Sequence, residues 1–152
     1  MTTAPPPTDF VHLVVGYDGS PPTVRALDAA LRLLQGRTGR IVVVYVAHLS
    51  SIAALSPGAV AEMEIDFDEV EQDLRAQATE QLRASGAAWD FERRQGLITD
   101  ELIAAATAIR DAHPDQTVAI VVGSSSHATH RMVGSVAIGL ARHSPVPLVI
   151  VP

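Results

Sequence analysis

The chain has 152 residues, 47% of them hydrophobic, and a formal net charge of −6. That length supports one well-buried core but not two ordinary domains, so residues 1–9, with their three consecutive prolines, are expected to form a flexible tail and residues 10–152 a single domain. The acidic balance argues against a general nucleic-acid binder, which needs a basic face, and the lack of cysteine removes disulfides, thiolate nucleophiles and cysteine metal sites.

Phe10 to Val15 is apolar apart from His12 and reads as the first strand, broken at Gly16. Tyr17-Asp18-Gly19-Ser20 is a turn, and Ser20 before Pro21-Pro22 opens a helix with Val24, Leu27, Leu31 and Leu34 on one face. Ile41 to Val46 is a second buried strand. After a loop marked by Ser50-Ser51 and Pro57-Gly58, a long amphipathic helix is predicted from about Val60 to Ser85, with Met63, Phe67, Val70, Leu74, Ala78 and Leu82 inward. Its acidic first half reads as a solvated face suited to the helix dipole. Ala87, Trp89 and Phe91 alternate with polar residues, as in a strand near a sheet edge. Thr99 is the expected cap of a third helix, with Leu102, Ala105, Ala106 and Ile109 inward and Pro114 as its stop.

Val118 to Val122 is a short β-branched run of the kind buried on both faces of a sheet. It ends at Gly123, and three serines lead through a polar link to Gly134-Ser135 and a helix running to about Arg142. A strand, a small-residue loop and a helix N-terminus together offer unpaired amides to an anion, although small residues also serve simple tight turns. Pro145 to Val151 is a fifth strand, which Pro147 restricts to an edge or a strand beginning. Strands and helices alternate throughout, which implies a parallel α/β sheet whose ligands bind beyond the carboxyl ends of the strands.

Every basic residue is arginine. Without lysine there is no Walker-type phosphate loop and no Schiff-base chemistry, so a bound phosphate is held by amides, hydroxyls and Arg131. No apolar run approaches the roughly 20 residues of a membrane span. The opening MTTAPPPTD also lacks a basic, then apolar, leader, so the expected location is the cytoplasm with no membrane contact.

The chain resembles the universal stress protein family over nearly its whole length beyond the tail. The resemblance rests on Val15-Gly16-Tyr17-Asp18-Gly19-Ser20, on Val43-Val44-Tyr45-Val46, on the glycine-serine loop after the fourth strand, and on Val146-Pro147-Leu148-Val149-Ile150-Val151-Pro152. It implies a flavodoxin-like, Rossmann-like three-layer sandwich with a five-stranded parallel sheet of order 3-2-1-4-5. It further implies ATP or AMP in a cleft formed by Gly16, Tyr17 and Asp18 with Gly123, Ser124, Gly134, Ser135 and Val136, to which this chain's own loop adds Ser126 and Arg131. Asp18 would then lie by the ribose or adenine, and the backbone of Val46 would meet the adenine edge. Asp18 has a competing structural role, since aspartate in such turns caps its own backbone.

The sequence departs from the family's nucleotide-binding loop at one place. Ser126 stands where the second glycine is expected, and seven residues instead of nine, His127 to Val133, precede Gly134. A Cβ there limits the approach of backbone to phosphate. His127 and His130 are read as a loop pair and not as metal ligands, and no nucleophile elbow or carboxylate pair marks an enzyme. The reading that follows is a non-catalytic stress-response domain with a degenerate adenine-nucleotide cleft. The alternative is a signalling module whose ATP or AMP occupancy controls an unidentified protein partner. A homodimer through Val146 to Val151 is expected in either case, because apolar sheet edges are usually covered.

Overall fold

The computed structural model describes residues 9–48, 57–124 and 134–152, with the side chains of residues 57 and 59–65 outside that description. The elements follow in strict alternation: β1 (Val11–Gly16), α1 (Pro21–Leu34), β2 (Gly39–Ala47), α2 (Pro57–Leu82), β3 (Ala88–Gln95), α3 (Ile98–Ala112), β4 (Thr117–Gly123), α4 (Ser135–His143) and β5 (Leu148–Val151). All five strands are parallel, in the order β3-β2-β1-β4-β5. The expected sheet order is therefore present.

The strands' β-branched runs account for the layers. Val15, Val43 and Val121 point to one face and pack with Leu27 and Ala30 of α1 and Leu74 and Ala78 of α2. Val14, Val44 and Ile120 point to the other and pack with Leu102 and Ala106 of α3 and Leu140 of α4. Alternation along a strand sends successive side chains to opposite faces, so a sheet covered twice needs apolar residues at every position.

Several boundaries differ from the sequence reading, each for a local reason. Pro57-Gly58 is the first turn of α2 and not loop, because a first-turn proline has no hydrogen bond to lose. Val70 is 41% exposed. At about 100° per residue it lies about 60° to one side of the line through Phe67, Leu74 and Ala78, at the margin of the buried stripe. The residue capping α3 is Leu97, not Thr99, and Glu101 N–H donates to its carbonyl at 2.9 Å. The turn is made by Gly96 at φ 141°, which brings the helix in earlier and leaves Thr99 to pack on Gly139 of α4. β5 starts at Leu148, after the two prolines, although the Pro147 carbonyl still accepts from Ile120 N–H at 2.9 Å.

His12 is the buried polar residue of the described core, 5% exposed, with Nε2 2.6 Å from Gln116 Oε1. Burial lowers its pKa below the ordinary 6.5, aided by the nearby charges of His113 and Arg40 and opposed by the Gln116 hydrogen bond. The unfolded chain therefore binds this proton more readily, and the neutral ring's contribution to stability is present above 6.5 and lost as pH falls through the lower folded value. Between pH 7 and 5.5, above the carboxylate range, the melting temperature is expected to drop. The drop should be smaller in His12→Gln; equal slopes by calorimetry would refute the assignment.

Candidate functional site

Winding from β1 toward β2 and β3 runs one way across the sheet and from β4 to β5 the other, so the loops after β1 and β4 emerge side by side. One cavity lies there. Gly16, Tyr17, Asp18, Val46, Gly123, Ser124, Gly134, Ser135 and Val136 all line it. Ser126 and Arg131, with His127 and His130, lie outside the described residues.

The β1 side is a braced turn. Asp18 Oδ1 accepts from Ser20 N–H at 2.9 Å and from the Thr23 hydroxyl at 3.0 Å, while Asp18 N–H donates to Thr23 Oγ1 at 3.3 Å. One carboxylate oxygen thus holds the start of α1, the structural role open to an aspartate in this turn. Ser20 sits at the N-cap of α1 without a side-chain cap bond, its own amide being taken by Asp18. Pro21 and Pro22 have no N–H, and Val24 N–H already donates back to Ser20 O at 3.0 Å. Only Thr23 is left to present a free first-turn amide, so α1 is a poor phosphate cradle.

The β4 side is different. Gly134 is the N-cap of α4, in extended conformation with no side-chain cap bond, and Ile138 N–H is the amide that bonds back to it, at 3.0 Å. The amides of Ser135, Val136 and Ala137 precede the helix ladder and line the cavity with their residues. Ser124 offers its hydroxyl, since its N–H donates to the Val151 carbonyl at 2.8 Å. Gly123 closes the corner: a Cβ there would stand 2.4 Å from the Pro22 carbonyl oxygen, so the end of β4 and the start of α1 touch only because it has none.

β2 supplies the third wall. Pairing of β1 with β2 ends at Gly16 and Val44, and Tyr17 N–H donates to Val44 O at 2.9 Å. Val46, two residues on, directs its N–H and C=O the same way, where β1 has turned aside. Tyr17 and Tyr45 are buried nearby, and burial, then the Asp18 charge for Tyr17, raises both phenol pKa values, so both stay protonated donors.

Sequence reasoning missed the floor. Ile98 and Leu102 of α3, with Thr23 and Ala137, also line the cavity. Leu102 is fully buried and would be 3.2 Å from a Cβ at Gly16. No local motif points to them, because they reach the cavity by packing from a helix distant in sequence. Among the described lining residues Asp18 carries the one formal charge.

Residues 10–152 match the universal stress protein family. The chain belongs to the universal stress protein family. Solved structures of the family share its fold. A universal stress protein from Lactobacillus plantarum superposes with a TM-score of 0.73 at 18% identity, over 95% of this chain and 99% of that one. A universal stress protein solved in complex with cAMP gives 0.64 at 22% identity, over 93% and 96%. One from Archaeoglobus fulgidus in complex with dAMP gives 0.58 at 16%, over 95% and 98%. A comparison with curated protein sequences gave no match. Among the described residues no helix is long and apolar enough to cross a membrane.

Proposed function

We propose that the protein is a non-catalytic regulatory domain that holds an adenine nucleoside monophosphate, in preference to a triphosphate, in the cleft at the β1 and β4 turns. The observation that carries this reading is the start of α4, where Gly134 caps the helix without a side-chain bond and leaves the amides of Ser135, Val136 and Ala137 at the cavity. Phosphate charge would rest on the first amides of α4 and its dipole, which suit one phosphate better than three. Base and ribose would extend toward Val46 and Tyr17. The complexes of two structural neighbours with cAMP and dAMP, each carrying a single phosphate, support the same choice.

Calorimetric titration tests it. AMP is expected to bind at least tenfold more tightly than ATP, a difference of about 1.4 kcal/mol. Ser135→Asp, which favours the helix start while putting negative charge where the phosphate would lie, should abolish binding without loss of stability. ATP binding tighter than AMP, or full AMP affinity in the variant, would reject the reading. A nucleotide-independent interaction domain has one observation in its favour, the engagement of Asp18 within its own turn. Absence of any adenylate binding would select it.

A homodimer through β5 belongs to the same proposal. Leu148 to Val151 forms the outer edge of the sheet, half-buried and apolar, and among the described residues no strand pairs with its far side. Sedimentation at micromolar concentration should show a dimer; a monomer alone would exclude this pairing.

A further inference from the structure

The cleft continues downward as an apolar slot between α3 and the sheet. Val44 and Val122 of the sheet and Leu102 of α3 form its lower part, and Val46, Ile98 and Val136 form its mouth. The direction of the elements produces this order. α3 runs back from the carboxyl ends of the strands, so Ile98, one turn before Leu102 on the same helix face, stands above it, as Val46 stands above Val44. Gly16 keeps the base of the slot open, because a Cβ there would come within 3.2 Å of one Leu102 methyl and 3.6 Å of a Val122 methyl.

Of the large hydrophobic residues exposed on the described surface, Leu33, Val70, Leu97, Ile98 and Ile138, Ile98 alone lines the cleft. It is 39% exposed, although Leu102, one turn on, is fully buried. The core of this layer is thus closed at its base and open at its top. Covering that apolar surface with a guest removes it from water, which is favourable.

The charge of α3 determines which end of a guest lies there. Its first turn carries Asp100 and Glu101. Those carboxylates already suit the dipole at that helix start and oppose a phosphate, whereas α4 has no acidic residue in its first turn and leaves its amides to an anion. The described side chains of the slot are all aliphatic, so they can hold the face of a ring but form no hydrogen bonds with its edge. A hold of that kind strengthens with the area of the ring.

We propose that Ile98 is a specificity-determining residue of the cleft: with Val46 and Val136 it clasps the base of a bound nucleoside monophosphate and selects the two-ring purine over the one-ring pyrimidine. This inference rests on the monophosphate reading above and adds to it a division of roles, with α3 holding the base and α4 the phosphate.

The test is NMR titration of the full chain, which follows binding into the millimolar range. The probes are AMP, UMP, adenosine, which lacks the phosphate, and ribose 5-phosphate, which lacks the base. The parent protein should bind AMP about tenfold or more tightly than UMP, and more tightly still than ribose 5-phosphate. Ile98→Ala should weaken AMP and adenosine by about tenfold each, UMP by less, and leave ribose 5-phosphate within about twofold. Alanine at an exposed first-turn position keeps the fold. Leu97→Ala is the control: its side chain is 59% exposed and lies outside the lining, so the affinities should not change. Overturning results are an unchanged AMP affinity in Ile98→Ala, an equal loss for AMP and ribose 5-phosphate, or UMP bound by the parent as tightly as AMP. If the parent binds ribose 5-phosphate and AMP equally, α4 holds a phosphate and the base slot is refuted. If it binds none of the probes, the monophosphate reading itself fails, and this inference with it.

Discussion

Gly123→Ala is expected to lower stability by about 1–3 kcal/mol, the range found for forcing extra atoms into a packed interior. The new Cβ would stand 2.4 Å from the Pro22 oxygen, 2.6 Å from its carbonyl carbon and 2.8 Å from its Cβ. These are mostly backbone atoms at the start of a helix whose φ angles are fixed by two prolines, so no side chain can swing away. Relief requires α1 to retreat from β4. That movement carries the Asp18 and Thr23 bracket with it, so adenylate affinity should fall together with stability. Gly58→Ala is the matched control: it lies in α2, has nothing among the described residues within 4 Å of its would-be Cβ, and should be neutral or stabilising by up to about 1 kcal/mol. Urea denaturation measures both. A Gly123→Ala protein as stable as the parent would show that the contact at this corner is looser than described.

Leu102→Ala should cost about 2–5 kcal/mol, as for other fully buried leucines. The space left would open directly under the cleft, against Gly16, whose would-be Cβ lies 3.2 Å from one Leu102 methyl and 3.6 Å from the other. Gly16→Ala alone should therefore crowd the core slightly. In the Leu102→Ala background the same methyl fills space, so the double variant should be more stable than the sum of the single losses predicts. Strict additivity would mean that the two positions do not touch.

The strands and their arrangement were legible because burial on both faces leaves continuous β-branched runs such as Ile41 to Val44 and Val118 to Val122. The 3-2-1-4-5 order came with the family resemblance, since alternation alone fixes parallel strands and not their sequence across the sheet. The cleft's two turns were readable from Gly16 to Ser20 and from Gly123 to Ser135, where small and polar residues interrupt apolar ones. Other features depend on the assembled fold. Leu97 caps α3 because Gly96 turns the chain there, and no capping side chain announces it. Gly123 was read as a phosphate-loop glycine, yet its neighbour in space is the carbonyl of Pro22, 101 positions earlier in the chain. His12 stood out in its strand as a lone polar residue, but its pairing with Arg40 required the register of two strands.

The two prolines that open α1 also set a direction. By stripping amides from one of the two helix starts at the switch point, they leave the described part of the cleft lopsided, with most of its free helix-start amides at the α4 end. On the proposed reading, a guest with one anionic terminus would enter in a single orientation. Changes in the first turn of α4 would then retune tolerance for the acidic terminus, while changes beside Val46 would retune tolerance for the ring system, and each could drift or be engineered without the other.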